Sequence, residues 1–443
     1  MVRQLFGTDG VRGRAGQFLS ADLALRLARA TVAHVGADPA RVLIVRDTRE
    51  SGDMLESAMA AGITEAGGEA FLAGVLPTPA APLLLRRHGF DLAAVISASH
   101  NPYEDNGIKL FGSDGFKLDD DTEHAVEAEL DRPGEPSARI GRIHQVLDPV
   151  DDYLQALQDR FSGLDLAGRS ILLDCANGAT YQAAPEIFRR LGAQVTVLAD
   201  APDGRNINAG CGSTHLDLIT QEIHRGGHDV GFAFDGDGDR VLAVDRDGVV
   251  VDGDELIALT AVHLRDRGQL HGGGVAVTVM TNYGFHTAMR EAGIEVATTA
   301  VGDRYVLDEL RRRGWELGGE QSGHIINLDL GPSGDGIASA LLTLEALGEH
   351  DLRHRDAMHK LPQQLRGVRA PDRDSLRSAM DDPGVQAAIG RADQELRGRG
   401  RVLVRASGTE PLIRVMVEAP DAAETERVCG ELSAEVERAL ARV

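Results

Sequence analysis

Short apolar runs alternate with stretches whose apolar positions recur at helical spacing along most of this chain. Arg41 to Arg46 carries an unbroken Val-Leu-Ile-Val run and predicts a strand, and Ser51 to Ala66 predicts a helix. Ala70 to Val75 and Asp91 to Ile96 predict further strands. The alternation returns at Ser170 to Asp174, Tyr181 to Leu191 and Gln194 to Leu198, and again at Val275 to Met280, Gly284 to Ala292 and Glu295 to Ala300. Strand–helix–strand repetition with short linkers implies mainly parallel sheets with helices on their faces. Boundaries follow from turn-rich composition. Arg132 to Ser137 is loop-like, a helix at Asp151 to Phe161 opens a second unit, and Asp245 to Gly253 precedes a third. Pro362 to Asp374, polar and with two prolines, reads as a linker into a last, smaller domain. The expected domains are 1–148, 149–252, 253–362 and 363–443: three similar α/β units and a smaller α+β tail.

Composition narrows the class. A chain of 443 residues with 42% hydrophobic and 26% charged positions is long enough for several buried cores. The formal charge, 46 basic against 69 acidic residues, is −23, which argues against nonspecific nucleic-acid binding and against attachment to an anionic membrane. An anionic substrate would therefore need local positive groups. Lys109, Lys117 and Lys360 are the only lysines, so a lysine within a motif is conspicuous. Cys175, Cys211 and Cys429 are odd in number, far apart and form no C-x-x-C pair, which argues against a disulfide framework and a cysteine-rich zinc site. The N-terminus lacks a signal-like apolar stretch and no run approaches a membrane span, so a cytoplasmic protein is expected.

Four stretches carry chemistry. Ser97-Ala98-Ser99-His100-Asn101-Pro102, with Asn106 to Lys109 close behind, follows an apolar strand, where open α/β sheets bind ligands. Ser99 there could be a nucleophile or a phosphate carrier, with His100 and Lys109 near it; an ordinary serine-rich turn ended by Pro102 fits equally. In Phe234-Asp235-Gly236-Asp237-Gly238-Asp239-Arg240, glycines alternate with carboxylates between two apolar strands, letting three aspartates converge on one hard cation. EF-hand spacing fails, because Arg240 and Arg246 stand where that loop needs glycine and glutamate. Three carboxylates leave coordination positions open, which suits Mg²⁺; the alternative is a plain acidic hairpin turn.

Gly318 to His324 offers Glu320, Ser322 and His324 for sugar hydroxyls and proton transfer, and reads equally as a turn. Arg405 to Arg414 lies between apolar segments, and its two arginines, Ser407, Thr409 and the Gly408 N–H could cradle a phosphate. Its alternative is a surface hairpin. Two weaker stretches, Phe6 to Gly13 with Arg12 and Gly302 to Val306 with Asp303 and Arg304, read first as turns. No P-loop and no G-x-G-x-x-G after a strand is present.

Together, over essentially the whole chain, these stretches resemble the α-D-phosphohexomutase superfamily. The Phe-Gly-Thr-Asp-Gly-Val-Arg-Gly opening and Gln321 resemble its phosphoglucosamine branch. The resemblance implies four domains around a central cleft, with Ser99 phosphorylated. It implies one Mg²⁺ held by Asp235, Asp237, Asp239 and a phosphoryl oxygen on Ser99. It places Ser99, His100, Lys109, Arg12 and His324 among the catalytic residues, with His324 the first choice for general base and Lys109 the second. Arg240, Asp303, Arg304, Glu320, Ser322 and His324 would bind the sugar, and Arg405, Ser407, Gly408, Thr409 and Arg414 the non-reacting phosphate.

The implied reaction interconverts glucosamine 6-phosphate and glucosamine 1-phosphate, with glucosamine 1,6-bisphosphate or glucose 1,6-bisphosphate as activator. The last domain would act as a lid. The expected partner is a phosphosugar, not nucleic acid or membrane, and a homodimer is allowed. Two alternatives stand beside this: a phosphomannomutase/phosphoglucomutase of the same fold, and a metal-dependent phosphosugar-binding protein without turnover.

Overall fold

The run Val42 to Val45 occupies the strand Arg41–Arg46 and is fully buried, as befits a strand covered on both faces. The preceding helix, Ala21–Val35, starts at Ser20, whose side chain accepts from the Leu23 N–H, and stops at Gly36 in the left-handed conformation. The computed structural model describes residues 5–7, 9–130, 137–407 and 411–442. The loop-like Arg132 to Pro136 lies outside the described residues, as does Thr8.

Four sheets are present among the described residues. The first has six strands. Leu92–Ile96, Arg41–Arg46, Glu69–Val75 and the short Ile143–Gln145 run parallel, while Asp105–Gly112 returns antiparallel to Leu92–Ile96 and pairs with Val11–Arg14. In the second, Ser170–Asp174 pairs in parallel with Gln194–Leu198 and Val230–Phe234. Val241–Asp245 then turns back antiparallel beside Val230–Phe234. The third sheet pairs Gly274–Thr278 in parallel with Leu317–Gly319, and Ile325–Asn327 antiparallel with the latter. In the fourth, Leu412–Glu418 lies antiparallel between Gln363–Arg369 and Arg401–Ala406. These are three mixed α/β layers and one small antiparallel sheet.

Pro362 to Asp374 is not simply a linker, because Gln363–Arg369 forms a full strand. It is an edge strand, and of its residues only Val368 is buried, so its polar composition hid the extended ladder.

The chain divides into two compact units: Met1–Val279 with Ala297–Arg355, and Met280–Val296 with Asp356–Val443. Within the second, the helix Tyr283–Glu291 is tied to the small sheet. The buried Glu418 carboxylate accepts from the Tyr283 N–H at 2.7 Å, Gln363 Nε2 at 2.6 Å and Arg401 Nε at 2.8 Å. Asn282 meanwhile bonds both the N–H and the carbonyl of Leu361 at 3.0 Å. No helix among the described residues is long and apolar enough to cross a membrane.

Candidate active site

In the first unit, the loops that carry polar chemistry leave the carboxyl ends of parallel strands, where open α/β sheets expose backbone groups to ligands. Asp47 to Arg49 follow Arg41–Arg46, Thr78 follows Glu69–Val75, Ser97 to Ser99 follow Leu92–Ile96, and Asp235 follows Val230–Phe234. Ser99 is buried and sits at φ +53°, a left-handed conformation uncommon for a residue with a β-carbon. Its Oγ donates to Asp235 Oδ2 at 2.6 Å and lies 3.3 Å from His100 Nδ1. Burial, then Arg240 and Arg12, push His100 down to about 4, so it is neutral at pH 7.

The aspartates converge as the glycine spacing predicts. Carboxylate oxygens of Asp235, Asp237 and Asp239 lie within 4.8 Å of one another, and all three residues are buried. Gly238 adopts φ +71°, and a β-carbon there would come within 2.5 Å of Thr180. Burial and the charges of Asp239 and Asp237 raise the Asp235 carboxyl well above the carboxylate range. Asp239 goes the other way: burial opposes its charge, but Lys109, His324 and Arg240 hold it well below.

Lys109 Nζ lies 2.8 Å from Asp237, 3.2 Å from Asp9 and 3.4 Å from Asp239. These carboxylates overcome burial and keep it a cation. Thr78 Oγ1 adds a 2.7 Å bond to Asp237. Oδ1 of Asp237 and Oδ1 of Asp239 nevertheless remain buried with no hydrogen bond. All-oxygen donors with two orphaned carboxylate atoms fit a hard divalent cation.

The third sheet contributes from the same unit. Gly318 to His324 forms the turn between Leu317–Gly319 and Ile325–Asn327, and the Gly323 carbonyl accepts from the Val241 N–H at 3.0 Å, tying this loop to the acidic one. His324 is buried. Its Nδ1 lies 3.5 Å from Asp239, and its Nε2 lies 3.9 Å from Asp303 and 3.1 Å from the Gly334 N–H. Burial disfavours its cation, but Asp239 and Asp303 raise its basicity. Glu320 Oε1 accepts from the Gly302 N–H at 3.0 Å, and the Arg240 N–H donates to Asp235 at 3.1 Å.

Two residues stand apart from this cluster. Arg304 turns to Asp120 and Glu123, and Ser322 is exposed at the loop tip.

In the second unit, Arg405 and Arg414 are direct cross-strand partners on one face, a like-charge pair that an anion would relieve. The Ser407 N–H closes the hairpin onto the Leu412 carbonyl at 2.8 Å. Gly408 and Thr409 lie outside the described residues.

Sequence reasoning missed several polar residues of the first unit. Asp9 gathers Lys109, Lys117 and Arg12, and Lys117 also bonds Asp303 at 2.6 Å. The rarity of lysine was a usable signal for Lys117. Arg49 stands just past a strand end, but the carbonyls it bonds leave no mark in the sequence. Nothing in the sequence marks Thr78 or Asn208.

Comparison with known proteins matches the chain along nearly its whole length. Family models for phosphoglucomutase/phosphomannomutase match in four parts: α/β/α domain I over residues 3–136, domain II over 151–248, domain III over 252–365 and the C-terminal domain over 367–435. A phosphoglucosamine mutase of Moorella thermoacetica is 48% identical over 439 residues, covering 97% of this chain and 98% of its own. That of Desulforudis audaxviator is 49% identical over 438 residues, covering 97% and 96%. Among solved structures, a phosphoglucomutase/phosphomannomutase family protein of Burkholderia thailandensis superposes with a TM-score of 0.82 at 24% identity, covering 98% of this chain and 97% of its own. An Aspergillus fumigatus N-acetylphosphoglucosamine mutase, solved with GlcNAc-6P and magnesium, superposes with 0.66 at 18%, covering 99% and 96%. With a serine at a strand end facing three aspartates and relatives matched end to end, the chain belongs to the phosphoglucomutase/phosphomannomutase family of isomerases, in the company of the phosphoglucosamine mutases.

Proposed function

We propose that this protein interconverts glucosamine 6-phosphate and glucosamine 1-phosphate through a phosphorylated Ser99 and a 1,6-bisphosphate intermediate, on the route to UDP-N-acetylglucosamine. The observation that carries this reading is the 2.6 Å contact between Ser99 Oγ and Asp235 of a buried aspartate triplet. Phosphoryl transfer asks for in-line positioning and charge neutralisation more than for covalent help. Ser99 Oγ gives its phosphoryl group to the free hydroxyl of the monophosphate, whose proton leaves as the new P–O bond forms and the Ser99 O–P bond breaks. After the bisphosphate turns around, its other phosphoryl group returns to Ser99.

Asp235, Asp237 and Asp239 are the proposed holders of Mg²⁺, which when bound supplies positive charge against the phosphoryl oxygens. Lys109, on the strand Asp105–Gly112 and kept cationic by its three carboxylates, adds neutralisation, with Arg12 beside Asp9. His324, made more basic by Asp239 and Asp303, is the proposed proton acceptor. Glu320 and Arg240 are assigned to the sugar, and Arg405 and Arg414 to the phosphate that is not reacting.

A coupled assay comparing glucosamine, glucose and mannose phosphates tests the substrate, and intact-mass analysis tests the carrier. The expected result is preference for the amino sugar and a gain of about 80 Da mapping to Ser99 after incubation with a sugar 1,6-bisphosphate. Preference for mannose or glucose phosphate would point to the phosphomannomutase/phosphoglucomutase reading. Binding without product would point to a sensor.

A further inference from the structure

Arg49 is fully buried, and all five of its guanidinium N–H groups find acceptors. Nε donates to Asp47 at 2.8 Å. The remaining four go to the carbonyls of Ser99 at 2.9 Å, Asn101 at 2.8 Å, Asp105 at 3.0 Å and Pro102. Asp47 is itself engaged twice more, by the Arg49 N–H at 3.0 Å and by Ser97 Oγ at 2.6 Å, and that Ser97 oxygen accepts from the Ser99 N–H at 2.9 Å. From the second sheet's layer comes Asn208, itself at φ +59° and 6% exposed. Its Nδ2 donates to the same Ser99 carbonyl at 3.0 Å and to that of Asn101 at 3.2 Å, while its own N–H is fixed to the Ala176 carbonyl at 2.9 Å. Gly236 allows the close fit, since a β-carbon there would sit 2.6 Å from the Ser99 oxygen and 2.7 Å from Asn208 Nδ2.

We infer that Arg49 and Asn208 form a carbonyl clamp that positions Ser99. The inference rests on reading Ser99 as the phosphoryl carrier. A serine that alternates between hydroxyl and phosphate presents a different side-chain group in each half-cycle. It can be held in one place only through atoms that do not change. Arg49 and Asn208 grip its carbonyl, and Ser97 grips its N–H. Together they hold the left-handed backbone that aims Oγ at Asp235 and leave Oγ itself free to react. Arg49 and Asn208 are positioning residues, since neither touches the reacting oxygen. One belongs to the first sheet and the other to the second, so the clamp also sets the serine loop against the acidic loop.

The test uses the full-length protein and the variants Asn208→Gly, which keeps the positive φ available, and Arg49→Lys, which keeps the charge beside Asp47 but offers too few donors for four carbonyls. Thermal midpoint, phosphorylation of Ser99 by glucose 1,6-bisphosphate, and kcat and KM for glucosamine 1-phosphate are measured together. Asn208→Gly should lower kcat about 10- to 100-fold, as misplacement of a reacting group by about an ångström does. Its KM should stay within about twofold, with Ser99 phosphorylated more slowly. Arg49→Lys should show the same split. A wild-type kcat in Asn208→Gly, or a loss confined to KM or to thermal midpoint, overturns the clamp, and that variant decides the matter if Arg49→Lys does not fold. Wild-type protein whose Ser99 never takes a phosphoryl group removes the carrier reading and the clamp together. Normal wild-type phosphorylation with unaffected variants removes the clamp alone.

Discussion

Replacing Lys109 with methionine keeps most of the side-chain volume and deletes one buried positive charge. Three carboxylates within 2.8 to 3.4 Å would lose their common partner. Removing one member of a buried ion pair costs about 3–5 kcal/mol, because the charge left behind is uncompensated. At about 1.4 kcal/mol per decade, the folded-to-unfolded ratio should fall by about two to four decades. Because Lys109 titrates above its ordinary 10.5, its contribution is fully present below that pH and is lost only as pH climbs through the raised value. The charge of Lys109 itself therefore adds no pH dependence between about pH 6 and 9. Urea unfolding followed by Trp315, the single tryptophan and a buried residue of the same unit, measures it. In EDTA the variant should show the full loss. Mg²⁺ should narrow the gap, since a divalent cation at the triplet returns positive charge to Asp237 and Asp239 and stabilises the fold that binds it. A variant within about 1 kcal/mol of wild type in EDTA, or an equal response of both proteins to Mg²⁺, would refute the reasoning.

Three further outcomes are expected. Arg405→Ala should raise KM for the sugar phosphate about 10- to 100-fold, the worth of a charge-assisted hydrogen bond, without loss of thermal stability, because it also ends the cross-strand repulsion with Arg414; an unchanged KM removes Arg405 from phosphate binding. His324→Gln should lower kcat and remove its titration from the acidic limb of the pH–rate profile, and an unaltered rate and profile would exclude it as proton acceptor. Burial pushes the Asp174 carboxyl up to about 6 against the Gly212 and Ala176 N–H groups, so the folded state holds this proton more tightly than the unfolded chain at 3.8. Stability from this group should grow as pH falls from 7 toward 4, by roughly 3 kcal/mol at about 1.4 kcal/mol per pH unit, and Asp174→Asn should lack that trend. Parallel pH dependences of the two proteins would contradict it.

Much of this architecture is written in local pattern. Ser170–Asp174 and Gln194–Leu198 form over the residues the apolar runs mark, and the Asp-Gly alternation of 235–239 announces its own convergence. Elements escape where the pattern is diluted. Gln363–Arg369 is an edge strand with one buried residue, so its composition resembles that of a loop. Side chains that act on distant backbone escape for a different reason. Arg49 works on carbonyls about fifty residues away and Asn208 on carbonyls over a hundred away, and carbonyls have no sequence signature. Asp9 was hidden by its neighbour Arg12, the more obvious anion ligand, although Asp9 is the group that gathers three cations.

The capping of Tyr283 by Glu418 has a practical corollary for anyone cutting or grafting this chain. The C-terminal sheet takes one of its helices from a stretch that precedes it by some seventy residues, so a fragment begun at residue 363 would carry Glu418 and Arg401 stripped of the backbone they hold, at Tyr283 and Thr281. A chimaera that exchanges this sheet between homologues needs both strands of the splice, and a protease nick near 296 would leave the donated helix attached through hydrogen bonds and packing alone.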